Sequence, residues 1–171
     1  RRTRLLGVVD TDRKIAEECA VKYKCEWSDA VNAFGYTRLT KSRPHIIIVA
    51  TPPETHAEIV MEAADIPAVK AIVCEKPMAL SVEAAEKMVA RCQRKGKLLF
   101  VNHNRHFDPF HQKWSTMWQT ITGPPQAAVF YYSRGLWNTG PHLLDLAFMY
   151  FGIPQWVTNE LVFGVNEQLN P

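Results

Sequence analysis

The sequence predicts an α/β fold, with a Rossmann-type parallel sheet followed by the start of an α+β domain that has an open, mainly antiparallel sheet. Short apolar runs alternate with helical patterns as far as residue 101, which is typical of right-handed βαβ units. The run 45–50 is almost wholly apolar, as in a strand covered on both faces. After Asn102 this alternation gives way to an aromatic-rich helical pattern.

The elements follow from hydrophobic periodicity and from capping residues. Strands are predicted over residues 5–9, 25–27, 45–50, 69–74, 98–101 and 126–133, with another starting near Trp156. A first helix is predicted after a cap at Thr11 or Asp12, and further helices are predicted over residues 29–34, 54–64, 81–95, 108–120 and 142–151. The buried side of the first helix is predicted to carry Ile15, Ala16, Cys19, Ala20 and Tyr23. The buried side of the helix after Ser81 is predicted to carry Val82, Ala85, Met88, Val89 and Cys92.

The change of pattern near Arg105 predicts two domains, 1–105 and 106–171. A Rossmann sheet normally opens with a strand and a Gly-rich turn, before a second strand that ends in an acidic residue. Here the acidic residue is Asp10. We therefore expect the first strand and its turn to precede Arg1, and most of the second sheet to follow Pro171.

Composition excludes several classes of protein. The formal net charge of +3 comes without a basic stripe, which argues against nucleic-acid binding. No apolar run approaches the roughly 20 residues of a membrane span. The four cysteines have no CxxC spacing and lie in apolar segments, as buried thiols of a reducing compartment do. We expect a cytoplasmic protein that binds neither membranes nor nucleic acid.

The run 71–77 carries the clearest functional signal. A strand pattern stops at Glu75 and Lys76, which puts a carboxylate and an ammonium at the carboxyl end of a parallel strand. Open α/β sheets bind their ligands at that edge. A lysine there can bind phosphate, balance a buried acid or hold a substrate oxygen. The alternative reading is a solvated lysine at a strand end.

Five segments, in this order, resemble the Gfo/Idh/MocA oxidoreductases, the family of glucose–fructose oxidoreductase and inositol dehydrogenase. They are Val9-Asp10, the run 50–56 (ATPPETH), the triplet 75–77 (EKP), the run 104–109 (NRHFDP) and the run 140–145 (GPHLLD). The resemblance implies hydride transfer between NAD(P) and a hydroxyl-bearing carbon of a sugar, cyclitol or sugar nucleotide. It also implies a cis bond before Pro77 and a homo-oligomer when the protein is full length.

The resemblance assigns roles residue by residue. The residues implied in cofactor binding are Asp10, Ala50, Thr51, Pro52, His56, Glu75 and Lys76. Those implied on the substrate side are Asn104, Asn138 and His142, with Lys76 and His142 as the catalytic pair. Asp10 favours NAD because a carboxylate repels a 2′-phosphate, although Arg13 could offset that preference and admit NADP.

The implied chemistry needs a base beside the alcohol oxygen. His142 suits this role because an unperturbed imidazole has a pKa of about 6.5, while Lys76 can stabilise the developing alkoxide. Many relatives carry an aspartate where this chain has Asn138, so more of the burden falls on His142.

Other readings stay open at this stage. The departure at Asn138 keeps alive a regulatory protein that binds cofactor or sugar without turnover, and a piece inactive on its own is a third reading. Without a sequence context, His142 is also a candidate for a packed or capping histidine. Three histidines near Asp108 suggest a metal, but their spacing is not that of ligands on one helix face, so we expect no metal site. They are His103, His106 and His111.

Overall fold

The first part of the fold is a βαβ unit at the start of the chain. The computed structural model describes residues 3–29, 43–123, 127–133, 136–155 and 157–158. Strand β1 (Gly7–Val9), helix α1 (Arg13–Tyr23) and strand β2 (Glu26–Ser28) follow one another, and β1 and β2 are parallel. The Asp12 carboxylate caps α1 by accepting the backbone N–H groups of Lys14 and Ile15.

A second unit forms a three-stranded sheet. Strands β3 (Ile46–Val49), β4 (Ala71–Glu75) and β5 (Leu98–Asn102) lie in that order and are all parallel. Helix α2 (His56–Asp65) connects β3 to β4, and α3 (Val82–Arg94) connects β4 to β5. A 3-10 turn precedes α2, and Ser81 caps α3 through its hydroxyl. These βαβ connections confirm the predicted parallel architecture.

The core lies between this sheet and its two helices. Val60 and Ala63 of α2 and Met88 of α3 are wholly buried against Ile72 and Cys74 of β4. Aligned residues share a face of a parallel sheet, so Ile47, Ile72 and Leu99 all lie on the side that the helices cover.

The opposite face of the same sheet is uncovered. Ile46 and Ile48 of β3 are 51% and 69% exposed, and Leu98 and Phe100 of β5 are 60% and 50% exposed. The prediction that run 45–50 is buried on both faces is therefore wrong for the described residues. Both helices lie on one side, and β3 pairs only with β4.

The two sheets are separate ladders among the described residues. β1 pairs only with β2, and β3 only with β4, so each keeps one unpaired edge in this part of the chain.

Two predicted helix faces need correction. In α1 only Ala16 and Ala20 are buried, while Ile15 and Tyr23 are about half exposed (48% and 54%). In α3 Met88 and Cys92 are buried as expected, but Val82 and Val89 are exposed. Helical spacing therefore predicted the burial of the two alanines of α1 and of Met88 and Cys92 of α3 correctly. The buried face of each helix is narrower than its apolar sequence pattern.

The last described part is helical. A 3-10 turn (Asn104–Phe107) leads into α4 (Pro109–Thr122), and α5 (Leu136–Phe151) packs on both. Residues 127–133 have no regular secondary structure, so the strand predicted over residues 126–133 is not formed among these described residues. A strand is recognised only when a partner pairs with it.

Helix α5 begins six residues earlier than predicted. It starts at Leu136 rather than at His142 and passes through Pro141. A proline removes one backbone donor without forbidding a helix, and tertiary contacts can override that cost. Asn138 lies in the helical residues before position 142, and its backbone oxygen accepts a hydrogen bond from the Lys76 ammonium. The helix predicted at 29–34 and the strand near Trp156 lie largely outside the described residues.

Candidate active site

The candidate site lies at the carboxyl ends of β4 and β5. Glu75 and Asn102 end these strands and are aligned across the parallel ladder. The Asn102 amide donates a hydrogen bond to the Glu75 carboxylate at 2.5 Å. This bond orients Glu75 and fixes the backbone position from which Lys76 extends.

Lys76 reaches from the sheet to helix α5. Its Nζ donates to the backbone oxygen of Asn138 at 2.8 Å and to the Asn138 side-chain oxygen at 3.2 Å. The Lys76–Pro77 bond is cis, as the resemblance implied. Asn138 was expected to hold substrate, but here both of its oxygens hold the ammonium. Since both are neutral acceptors, the site keeps the positive charge of Lys76.

His142 lies one turn further along α5, in a positive environment. Burial lowers its pKa, and the charges of Lys76, Arg105 and His103 lower it further, against a smaller opposing effect of Glu75. The site therefore favours a neutral imidazole. Its Nδ1 atom is buried and has no hydrogen-bond partner among the described residues.

Lys76 therefore lowers the pKa of His142, the residue with which the sequence predicted it to form a catalytic pair. They come from positions 66 residues apart, since 142 − 76 = 66, and from the two predicted domains. Lys76 reaches α5 through its hydrogen bonds to Asn138, one turn before His142. A site shared by Lys76 and His142, and their catalytic roles, stay a prediction.

The loop after β3 is organised by His56. This side chain is wholly buried, with Nε2 2.8 Å from the Thr51 carbonyl oxygen and Nδ1 2.9 Å from the Pro77 carbonyl oxygen. It therefore links the loop after β3 to the loop that carries Lys76. The prediction that His56 contacts a cofactor is not supported for its side chain, because both ring nitrogens are engaged with backbone.

The neighbouring loop residues form a compact turn. Thr51 and Thr55 share a hydrogen bond between hydroxyls at 2.7 Å, and the Thr55 backbone N–H donates to the Pro52 carbonyl at 3.0 Å. Ala50 is exposed at the end of β3. Ala50, Thr51 and Pro52 thus form a fixed backbone surface at the edge where a ligand of an open sheet lies.

Asp10 stands at the carboxyl end of β1, in the separate two-stranded sheet. One carboxylate oxygen accepts the Asp12 backbone N–H at 2.9 Å, and the Asp10 backbone N–H donates to the Ser28 carbonyl at 3.2 Å. A carboxylate can accept several further hydrogen bonds, so Asp10 keeps the capacity to bind ribose hydroxyls. The polar group expected there is present and exposed enough for this role.

Three residues near the site escaped the sequence analysis as site residues. Asn102 orients Glu75, while His103 and Arg105 face His142. The available signal was their position, since Asn102 ends β5, His103 follows it directly and Arg105 lies in the 3-10 turn that comes next. Asn104, which was predicted instead, is exposed, and its substrate contact stays a prediction.

Behind His142, a second histidine and a carboxylate meet. His106 Nδ1 lies 3.4 Å from an Asp145 carboxylate oxygen that is shielded from solvent. Asp145 thus serves the contact between the turn after β5 and helix α5. The described residues contain no group of histidine, cysteine and acidic side chains that could hold a metal.

Other features lie away from this edge. A cavity of about 500 Å³ opens at the amino ends of β3 and β4 and is lined by Arg43, His45, Ile66, Pro67, Ala68 and Lys70. Helices with the length and apolarity to cross a bilayer are absent from the described part of the chain.

The parallel βαβ units and the polar edge define a nucleotide-binding α/β protein of the Rossmann type. Residues 1–103 match the family described as an oxidoreductase family with an NAD-binding Rossmann fold, GFO_IDH_MocA. The chain belongs to this family, as its five sequence segments implied.

Individual relatives agree with this assignment. The chain is 34% identical over 109 residues to an inositol 2-dehydrogenase of Rubrobacter xylanophilus, an alignment that covers 63% of this chain and 30% of the relative. It is 32% identical over 111 residues to a dTDP-3,4-didehydro-2,6-dideoxy-alpha-D-glucose 3-reductase of Saccharopolyspora spinosa, covering 61% and 31%.

A solved structure shows the same fold. The WlbA dehydrogenase of Bordetella pertussis, in complex with NADH and UDP-GlcNAcA, superposes with a TM-score of 0.70 at 21% identity. The superposition covers 88% of this chain and 51% of that one. The chain thus spans about a third of those two curated relatives and half of this structural neighbour.

Proposed function

We propose that the protein is an NAD(P)-dependent oxidoreductase that moves a hydride between nicotinamide and a hydroxyl-bearing carbon of a sugar, cyclitol or sugar nucleotide. The single observation that supports this proposal is the hydrogen bond from Lys76, at the carboxyl edge of a parallel sheet, to Asn138, one helical turn before His142, within a chain of the NAD-binding family. Each side chain contributes a separate part of the chemistry.

Lys76 stabilises negative charge on the substrate oxygen. Its Nζ carries three N–H donors, and the two Asn138 oxygens occupy the directions towards α5. A substrate hydroxyl competes for one donor direction and gains a charge-assisted hydrogen bond. That bond strengthens as the hydroxyl loses its proton, so Lys76 favours the transition state over the bound alcohol.

His142 takes the hydroxyl proton in the oxidative direction. Its lowered pKa keeps the imidazole unprotonated near neutral pH and therefore able to accept. Because Nδ1 is shielded from solvent, Nε2 is the atom assigned to the proton transfer. In the reductive direction the same atom returns the proton to the product oxygen.

The residues fit a dinucleotide cofactor. Asp10 offers a carboxylate to a ribose, the 50–52 turn offers backbone, and Glu75, oriented by Asn102, offers a second carboxylate beside Lys76. A bound nicotinamide supplies the two-electron acceptor or donor for the substrate carbon. Asp10 favours NAD over NADP, since a 2′-phosphate would meet its charge.

The substrate class rests on the relatives. Their names describe reactions on inositol and on a dTDP-linked sugar, both of which carry secondary hydroxyl or keto groups on a six-membered ring. We assign this chain the same broad class. A small-molecule substrate is also consistent with a site built from one ammonium, one imidazole and two carboxamides.

Asn138 favours a second candidate, a protein that binds cofactor or sugar without turnover. The amide cannot take a proton, and it ties up Lys76 from the side of α5. In this reading the Lys76–Asn138 contact is a permanent link between sheet and helix. The retained histidine and lysine argue for turnover.

The test is a nicotinamide absorbance assay at 340 nm with the protein in its longest encoded form. Wild type, Lys76→Met, His142→Gln and the exposed-site control Lys87→Met are each supplied with NAD or NADP and a panel of cyclitols, sugars and nucleotide sugars. We expect turnover with NAD on at least one compound of the panel. The kcat should fall at least ~100-fold in Lys76→Met and in His142→Gln, and it should stay unchanged in Lys87→Met.

Nicotinamide fluorescence separates the two candidates. Cofactor binding without turnover across the panel, and with equal affinity in Lys76→Met, would support the regulatory reading. Failure of the longest form to bind either cofactor would remove the oxidoreductase proposal and leave only a protein that binds sugar without turnover.

A further inference from the structure

We propose that His103 is a positioning residue that fixes the ring of His142 and holds it in its neutral form. The inference rests on the proposed function, because it concerns the base of that reaction. His103 directly precedes the run 104–109 and lies outside the five segments that resemble the family.

The backbone of His103 is fixed on both sides. Its N–H donates to the Val101 carbonyl at 2.9 Å, and its carbonyl accepts the His106 N–H at 2.9 Å. It directly follows Asn102, which is bonded to Glu75. The His103 ring therefore projects from the ordered end of β5 and can act as a rigid support.

The ring of His103 meets that of His142 edge to face. The centroids are 6.3 Å apart and the planes are inclined by 87°. Edge-to-face geometry is a preferred arrangement for aromatic rings, with a contribution of about 0.5–1.5 kcal/mol beyond burial. This contact joins the sheet to α5 beside the link from Lys76 to Asn138, so the two links together set the position of His142.

The pair also has an electrostatic consequence. Both Nδ1 atoms are shielded from solvent, and neither has a hydrogen-bond partner among the described residues. A positive charge close to His142 opposes protonation of that ring, and His103 contributes in this direction. An unpartnered histidine neighbour is thus a different support from the carboxylate that commonly orients a histidine base.

The other charged groups that face His142 act in known directions. Lys76, after β4, and Arg105, in the 3-10 turn, also oppose its protonation, while Glu75 at the end of β4 favours it. His103 therefore adds to a positive surrounding rather than creating it. Replacing His103 alone leaves those contributions in place, which makes its own share measurable.

The experiment follows the His142 ring by NMR in the chain labelled with ¹³C at histidine Cε1, using His142→Gln for assignment. The variants are His103→Phe, which keeps an aromatic ring, His103→Gln, which removes it, and His111→Phe as the control. His111 lies on α4 and is hydrogen-bonded to the Tyr150 hydroxyl, two helical turns along α5 from His142. The measurement needs no substrate, cofactor or turnover.

We expect the titration midpoint of His142 to rise in both His103 variants and to stay unchanged in His111→Phe. His103→Phe should keep the nuclear Overhauser contact between the two rings, and His103→Gln should lose it. In the longest form of the protein, the acidic limb of the plot of kcat/KM against pH should shift to higher pH, as the His142 midpoint does.

An unchanged His142 midpoint in folded His103→Phe or His103→Gln would overturn the inference, as would an equal shift in His111→Phe. If His103→Phe does not fold, His103→Gln alone decides. These results are independent of the absorbance assay, so a failure here leaves the oxidoreductase proposal intact. Conversely, an inactive protein with a shifted His142 midpoint would refute only the proposed reaction.

Discussion

The two faces of the β3–β4–β5 sheet have similar side chains and opposite environments. On one face Ile72 is wholly buried beneath α2 and α3. On the other, Ile48, a residue of the same type on the neighbouring strand, is 69% exposed. The strands alone do not distinguish these faces, because both are apolar. The helices distinguish them, since both connections lie on one side.

This difference bears on the site. Lys76 and Glu75 extend from β4, the strand whose inner residues are fixed by the covered face. Asp10 belongs to the other sheet, where the buried apolar residues of α1 are two alanines. We infer that the catalytic edge rests on the firmer part of the described fold and the ribose-binding residue on the thinner part.

The largest effect should come from truncating one isoleucine on each face. Ile72→Ala should lower the free energy of unfolding by about 3 kcal/mol, because it removes buried methylenes and leaves a cavity. Ile48→Ala should lower it by less than about 1 kcal/mol. Urea unfolding followed by circular dichroism measures both. Equal losses would mean that the exposed face is covered in solution.

A smaller effect concerns the end of a covering helix. Lys97 Nζ donates to the carbonyl oxygens of Ile66, Pro67 and Val69, at 3.0, 3.2 and 2.6 Å, in the segment between α2 and β4. Lys97→Met should lower the free energy of unfolding by about 1–2 kcal/mol, because these charge-assisted hydrogen bonds are lost. The same denaturation experiment on the exposed Lys87→Met provides the control, and matched losses in the two variants would argue against an anchoring role.

The last comparison uses cysteine chemistry to report the covered face. Burial raises the pKa of Cys74 to about 11, with Glu75 adding to the effect, so its reactive thiolate is scarce near neutral pH. Cys19 on α1 is partly exposed. At pH 8 iodoacetamide should label Cys19 at least ~100-fold faster than Cys74, as followed by peptide mass spectrometry.

The same pKa gives a direction for stability. A thiol whose pKa is raised on folding keeps its proton longer in the folded chain, so the unfolded chain loses its proton first. Stability should be unaffected by Cys74 below pH 9 and fall as the pH rises from 9.0 towards 11. A Cys74→Ala variant should show a weaker alkaline decline, and labelling of Cys74 as fast as Cys19 would contradict its burial.

The sequence supported the prediction of the strands, their parallel order and the polar edge for physical reasons. Short apolar runs end at Asp10, at the 50–52 turn and at Glu75, and helical patterns lie between them. This alternation is typical of βαβ units. Lys76 and His142 were found because their residue types and neighbouring motifs pointed to one chemistry. That family match also led to the cis bond before Pro77.

The errors share one cause, which is that local patterns do not contain tertiary neighbours. The apolar character of Ile48 says nothing about which face receives helices, and Pro141 looks like a boundary until a partner supports the helix around it. The roles of Asn138 and His103 depend on contacts across 62 and 39 residues, since 138 − 76 = 62 and 142 − 103 = 39. No window along the chain contains such contacts.

The most direct test of the central claim asks whether Lys76 and His142 share one site. In the histidine-labelled chain, the titration midpoint of His142 is measured by NMR in wild type, in Lys76→Met and in Lys87→Met. Lys76→Met removes a positive charge that opposes protonation of the imidazole, so the midpoint should rise, while Lys87→Met should leave it unchanged. A His142 midpoint that does not respond to Lys76 would contradict the account.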